Sequence, residues 1–344
     1  MTGPPVAYDQ YSPMLQTAPH HLQIAKVLHH ELEKVEKIFC DQLASDLPSV
    51  NDLCRHVERY RGKMLRPSML LLTGLAVSGE PCDGSALQPR HLQISAVVEM
   101  IHMATLVHDD ILDEAHVRRR GATINTLRGN ETAVMLGDYL ISNAFHLCSK
   151  VGDPKINEML GQVTNTLCEG ELVQLSHRDD LSLDEATYLE IVRRKTAALV
   201  GTCCRMGARF SGASPGVENA LEQFGISLGI AFQIQDDLLD LAGDPDVVGK
   251  SLGRDLATGK MTLPVILHLA DEVGMERGET LRLIEARDGL GLRSRLVEGG
   301  AVGRARQRAV DLVVSAKTQL EHLPGSSSRD LLATLADAVV DRDA

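Results

Sequence analysis

An all-α fold, one large helical domain, is the architecture that this 344-residue sequence predicts, on three observations. Apolar residues recur at spacings of three and four almost throughout, as amphipathic helices require. Leu, Ala, Val, Glu and Arg dominate the composition, a helix-favouring mixture. No stretch alternates apolar and polar residues for long enough to build a sheet, and no short-period repeat is present.

The elements follow in chain order. Residues 1–20 carry Pro4, Pro5, Pro13 and Pro19, with no basic start or apolar run. They read as a tail without fixed structure, not a signal peptide. Residues 21–44 place Leu22, Ala25, Leu28, Leu32, Val35, Ile38 and Phe39 along one helical face. Gly62 to Pro67 punctuates the chain, 68–77 is an apolar helix, and 79–89 is a loop rich in Gly and Pro. A long helix covers 90–115, followed by helices at 131–149 and 155–176. One helix is expected over 184–210, closed by Gly212 and Gly216, and another over 217–241. Residues 244–260 form a polar loop, and helices resume at 262–273, 277–287, 292–298, 301–322 and 328–340. No linker composition interrupts 21–344, so one domain is expected there.

Composition narrows the function. A net charge of −12 argues against a nucleic-acid partner, although local Lys and Arg can still bind a phosphorylated molecule. Seven Cys, odd in number and irregular in spacing, make neither a disulfide framework nor a zinc pattern, and a reducing cytoplasm fits them. No uninterrupted apolar run reaches the roughly 18 residues that suggest a membrane span.

Two strings carry the chemistry. Asp109-Asp110-Ile111-Leu112-Asp113 and Asp236-Asp237-Leu238-Leu239-Asp240 both read D-D-x-x-D in apolar surroundings near helix ends. Residues four apart share a helix face, so Asp109 stacks on Asp113 and Asp236 on Asp240, at a cost of roughly 0.2–0.5 kcal/mol per like-charged pair. A lone motif of this kind is as often a solvated helix face as a site, but two copies point to a bound cation. All-oxygen donors suit Mg²⁺, which takes one or two carboxylates together with substrate phosphates, whereas zinc would ask for His or Cys. Cations stand where anions would need them: Lys63 and Arg66 at i, i+3; Arg118, Arg119 and Arg120 after the first motif; Lys195 beside Thr196; Lys250 and Lys260 after the second. Any one alone is more often a surface charge. Together they describe a site balancing three Mg²⁺ ions, two anionic groups and six carboxylates.

The chain resembles trans-isoprenyl diphosphate synthases of the polyprenyl synthetase family. The likeness lies in GKMLRP (62–67), IHMATLVHDDILDEAHVRR (101–119), GDYL (137–140), KT (195–196), FQIQDDLLD (232–240) and GKSLGRD…GKMTLP (249–264), and runs from about residue 24 to the end. It implies a helical bundle with the two acidic helices facing each other across the mouth of a cavity. It further implies that Lys63, Arg66, His102 and Arg119 hold the diphosphate of isopentenyl diphosphate. Asp109, Asp113 and Asp236 are implied as Mg²⁺ ligands, with Asp110, Asp237 and Asp240 supporting the metal–water shell. Arg118, Lys195 and Lys260, joined by Lys250, are implied on the allylic diphosphate, and Thr196 and Gln233 at the reacting centre. The family's usual Gly-Lys-Pro-Thr is replaced here by Arg120-Gly121-Ala122-Thr123.

The implied reaction ionises the allylic diphosphate, lets the π bond of isopentenyl diphosphate attack, and ends with loss of a proton to the departed diphosphate. A water-poor cavity would be lined by Leu106, Val107, Leu238 and Leu239. Ala104 and Thr105, four and five residues before Asp109, are small where bulky aromatics stop growth in the family. The expected product is therefore all-trans and of medium to long chain, C30 to C50, of the quinone side-chain type, with Phe145 and Met135 as candidates for the tunnel floor. The resemblance also implies a homodimer. The alternatives are a synthase making geranylgeranyl or farnesyl diphosphate, or one subunit of a heteromeric synthase. A terpene cyclase would lack the second D-D-x-x-D and the Lys63/Arg66 pair.

Overall fold

The computed structural model describes residues 19–58, 60, 62, 64–79, 83–118, 121–242, 254–272 and 274–341. Most of the expected tail, Lys63, Arg119, Arg120 and Lys250 lie outside the described residues. The helices are α1 Pro19–Leu43, α2 Pro48–Glu58, α3 Leu65–Ser78, α4 Pro89–Leu112, α5 Ile124–Arg128, α6 Asn130–Ser149 and α7 Pro154–Ser176. They continue as α8 Glu185–Val192, α9 Ala198–Phe210, α10 Pro215–Ala242, α11 Arg254–Ala257, α12 Leu263–Asp271, α13 Gly274–Glu285, α14 Gly289–Glu298, α15 Ala301–Gln319 and α16 Ser327–Val340. Among the described residues the only strands are β1 Val117–Arg118 and β2 Gly121–Ala122, an antiparallel hairpin with Arg118 opposite Gly121. Two-residue strands are too short for alternation to reveal, and the helices α2, α5 and α11 were likewise not expected.

By internal packing the chain divides into two compact units. The first takes the chain up to Gln162, with Thr202–Glu222 and Leu320–Leu335. Its centre is α4, which packs most extensively on α6 and then on α3 and α1. Ile94, Val97, Val98, Met100, Ile101, Met103 and Ala104 are all fully buried or within 1% of it, so α4 is apolar nearly all round, as a core helix is. Close approaches depend on missing side chains. A Cβ on Gly207 of α9 would lie 2.1 Å from the Leu70 carbonyl oxygen of α3, and one on Gly137 of α6 would lie 2.1 Å from the His108 ring of α4.

The second unit takes Val163–Gly201, Gln223–Gln319 and the chain from Ala336. Here α12 packs on α15 and α8, and α14 packs on α13 and α15. The single helix expected over 184–210 is instead interrupted. It starts where Asp184 accepts a hydrogen bond from Thr187 N at 2.7 Å, then widens into a π-helical turn at Arg193–Ala197 before α9. Two glycines press on that turn: a Cβ on Gly170 of α7 would lie 2.6 Å from Lys195 N, and one on Gly229 of α10 2.6 Å from Ala197 Cα. Periodicity cannot register such a bulge. Met135, expected near a tunnel floor, is 65% exposed on α6 and does not sit as the floor of an apolar channel would. No helix among the described residues is long and apolar enough to cross a membrane.

His91 ties the start of α4 to its surroundings. Its Nδ1 accepts from Gln88 N at 3.0 Å, its ring meets Phe210 edge-on at 5.3 Å, and it is fully buried. Burial lowers its pKa from 6.5 to about 4, so the fold prefers neutral imidazole. A group depressed in this sense contributes stability that is complete above its unfolded pKa and fades as pH falls from 6.5 towards 4. Urea unfolding between pH 7 and pH 4 is expected to show a loss of about 3 kcal/mol that a His91→Gln variant lacks.

Candidate active site

The first motif closes α4. Asp109 and Asp113 share a half-buried face, while Asp110, about 100° further round the helix, is only 1% exposed. Arg118 neutralises it, with Nε at 2.8 Å and Nη2 at 2.7 Å from Asp110 Oδ1. The β1–β2 hairpin exists locally because the chain beyond it is tied down. Thr123 Oγ1 donates to the Ala115 carbonyl at 2.7 Å, Thr123 N to that of His116 at 3.1 Å, and Asn125 Nδ2 to that of Asp110 at 3.0 Å. Tyr60 accepts from Ile124 N at 2.8 Å, and its phenol is pushed up to about 12, first by burial and further by the neighbouring Asp110 carboxylate. Next to the motif, His108 Nε2 donates to the Val134 carbonyl at 3.1 Å and lies 3.7 Å from Asp138. The GD of the GDYL string thus supplies both the space and the charge that seat His108.

Arg66 is the second residue of α3. The helix follows Met64, which is buried and holds a left-handed φ of 46°, a conformation that an unbranched side chain tolerates at a cost. Arg66 and Glu99 act with opposite sign on the buried Cys203 thiol, which burial above all raises to about 12. Glu99 was not anticipated. It is 2% exposed on α4, three residues before His102, and a carboxylate buried to that degree requires polar or charged partners. Thr105 Oγ1 donates to the His102 carbonyl at 2.8 Å.

The second motif closes α10 with the same arrangement. Asp236 and Asp240 share a half-buried face and Asp237 is 1% exposed. Three donors converge on Asp237: Tyr188 Oη at 2.7 Å, Gln233 Nε2 at 2.9 Å and Lys260 Nζ at 3.1 Å. Thr196 Oγ1 donates to Gln233 Oε1 at 3.0 Å, which fixes the orientation of the Gln233 amide. Lys260 also reaches Asp255 at 3.3 Å, and Asp255 N donates to Asp240 at 3.0 Å. Burial alone would discharge Lys260, but Asp237 and Asp255 outweigh it and hold the ammonium above the ordinary lysine range. Asp255 is raised to about 6 by burial, against the pull of Lys260. Burial, then Asp237, pushes the Tyr188 phenol well above its usual value, so Tyr188 is a donor throughout the working pH range. Lys195 pairs with Glu171. Lys195, Thr196, Gln233, Lys260 and Gln174 form the polar wall of an open cavity, with Leu183, Ile191, Val192 and Met261 as its apolar wall. Tyr188 and Glu171 were missed because each acts through a partner distant in sequence, and Asp255, five residues before Lys260, was not singled out within the polar loop.

The donor set can be tested for a metal on its chemistry. Each motif offers oxygen atoms only, as an i, i+4 carboxylate pair whose middle aspartate is already engaged by cationic or neutral donors. Among the described residues no three His, Cys, Asp or Glu converge into a closed cage. The oxygen-only donors of the two motifs are of the type that suits Mg²⁺, which keeps several waters and shares its remaining positions with substrate phosphates, and not the His and Cys that zinc takes.

Known proteins give the same direction. The polyprenyl synthetase family model matches residues 48–289. The octaprenyl diphosphate synthase of Escherichia coli (strain K12) is 34% identical over 326 residues, spanning 93% of this chain and 98% of its own. A crystal structure of a decaprenyl diphosphate synthase from Rhodobacter capsulatus superposes with a TM-score of 0.86 at 33% identity, covering 95% of this chain and all of that one. A polyprenyl synthase from Caulobacter crescentus CB15, complexed with calcium and isoprenyl diphosphate, gives a TM-score of 0.85 at 30% identity with full coverage of both chains.

The Arg118–Asp110 pair yields a stability prediction. Arg118→Met strands a buried carboxylate and is expected to lower unfolding free energy by about 3–5 kcal/mol. The double variant with Asp110→Leu is expected to recover most of that loss in urea denaturation.

Proposed function

The chain belongs to the polyprenyl synthetase family as a trans-prenyltransferase of medium- to long-chain type, and from that premise we propose how its own residues divide the work. Asp109, Asp113 and Asp236 bind Mg²⁺, three ions in all, with Asp240 completing the second pair. Asp110 and Asp237 act from behind, fixing the rotation of α4 and α10. Arg118, Lys195, Lys260 and Lys250 contact the allylic diphosphate. Lys63, Arg66, His102 and Arg119 hold isopentenyl diphosphate. A guanidinium has five N–H donors and an ammonium three, so Arg118 and Lys260 can keep their aspartates and still turn a donor to phosphate.

Bound Mg²⁺ supplies Lewis-acid stabilisation of the diphosphate charge. The side chains do the remainder. Lys195, Lys260 and Arg118 stabilise diphosphate as the allylic C–O bond breaks and the electron pair leaves with it. Thr196 and Gln233, hydrogen-bonded to each other and with Gln233 anchored on Asp237, present a fixed polar edge to the cation. The π bond of isopentenyl diphosphate forms the new C–C bond, and the departed diphosphate takes the released proton. Residues 21–344 work as one catalytic domain, in a cytoplasmic homodimer, on all-trans products of C30 to C50.

The observation that carries this reading is the repeated design of the motifs, an outer carboxylate pair on a half-buried face and a middle carboxylate buried and neutralised. Asp109→Ala and Asp236→Ala are each expected to cut turnover of labelled isopentenyl diphosphate with farnesyl diphosphate by at least ~10²-fold, the scale of losing one charge-stabilising group, with melting unchanged. Near-normal activity in either variant would exclude it. The same assay on the purified chain alone separates a complete synthase from a subunit. Ala104→Phe is expected to shorten the product on reversed-phase chromatography, and an unchanged length would remove Ala104 from the growth path.

A further inference from the structure

One carboxylate beside the cavity stands outside both aspartate motifs. Glu171 pairs with the Lys195 ammonium, and the two side chains are only 16% and 22% exposed. This is not a screened surface pair, since partial burial strengthens the interaction. Its placement is built in several ways. Gly170, the preceding residue, has no Cβ to keep α7 away from Lys195 N, and the π-helical turn carries Lys195 to the same wall. Gln174, one helical turn on, donates to the other oxygen of Glu171 at 3.5 Å and also lines the cavity. The neighbouring cations are matched elsewhere: Arg193 and Arg194 both bind Glu190, and Arg194 also binds Glu169.

A fixed negative charge is an odd choice next to a polyanion. If Lys195 needed only to bind diphosphate, the strongest arrangement would leave out Glu171. Building a long chain imposes a second demand, because every condensation leaves one inorganic diphosphate that must depart before the next allylic group is positioned. A lysine with its full charge uncompensated would hold that product as firmly as the substrate.

We propose that Glu171 is a counter-charge that weakens the hold of Lys195 on diphosphate and so sets the release of inorganic diphosphate between condensations. The inference rests on the assignment of Lys195 to the allylic diphosphate and deepens it. Glu171 touches Lys195, not the reacting atoms, and is a positioning residue.

The test is inhibition by inorganic diphosphate in the presence of Mg²⁺, measured on the purified protein with the Glu171→Gln variant. The inhibition constant is expected to fall roughly three- to tenfold, the scale of removing one nearby charge from a partly buried site. The KM for the allylic substrate falls with it and kcat declines as release slows. Tighter binding cannot come from a damaged fold. An unchanged or weaker inhibition overturns the inference, because a residue that merely aims Lys195 would lose affinity when removed. Lys195→Gln is measured beside it and is expected to raise the inhibition constant and to abolish the effect of Glu171→Gln in the double variant. If Lys195→Gln leaves inhibition unaltered, the assignment of Lys195 fails and this inference falls with it. If Lys195→Gln acts but the double variant still tightens, Glu171 does not work through Lys195.

Discussion

Each D-D-x-x-D string places three carboxylates within five residues of one helix, and the structure tolerates this by burying the middle one and neutralising it. Asp110 is met by Arg118, and Asp237 by Tyr188, Gln233 and Lys260. Such pairs are poor sources of net stability, because desolvation offsets most of the Coulomb gain. What they supply is orientation. A helix whose Asp110 is locked inward cannot rotate, so Asp109 and Asp113 must face outward together, and the same holds for Asp236 and Asp240 around Asp237. The outer carboxylates are arranged before any cation arrives, which is the condition for charge stabilisation without reorganisation at the moment of reaction.

The two halves reach this condition by different local means. In the first, Arg118 comes from a hairpin directly after the motif, and the backbone of Asp110 and Ala115 is tied to Thr123 and Asn125. In the second, the donors come from three places, α8, the helix turn preceding Asp237, and the end of the segment after α11. The π-helical turn belongs to this second solution. It carries Lys195 and Thr196, both of which line the cavity. π-bulges inside α-helices are frequent at functional sites. Here Gly170 and Gly229 provide the space that the wider turn needs.

Much of this was legible in the residues. The all-α class, most long helices and both carboxylate pairs follow from spacing alone, since a period of 3.6 both marks a helix and fixes which aspartates stack. The interruption at 193–197 was not legible. Residues 184–210 are apolar and polar in helical order on both sides of the bulge, and only the close approach of two glycines distant in sequence marks it. Tyr188 and Glu171 escaped for a related reason. A tyrosine in a helix reads as core, and an acidic residue on α7 reads as surface, until Asp237 and Lys195 arrive beside them. Glu99 could have been suspected, as a lone carboxylate in an otherwise apolar stretch of α4.

The first helix of the site carries a further constraint. Residue 104 is a fully buried alanine, and the Thr105 hydroxyl proton is donated to the His102 carbonyl. α4 therefore carries small groups one turn before Asp109 and Asp113, the carboxylates proposed to bind Mg²⁺. That matters for a reaction through an allylic cation, which water would quench. With five Phe, five Tyr and no Trp in the chain, aromatic faces are scarce as cation stabilisers. Protection must come from excluding water and from keeping the departing diphosphate close, and the second need conflicts with releasing it once the bond has formed. A lysine partly compensated by a carboxylate, as Lys195 is by Glu171, meets both needs with one pair of charges.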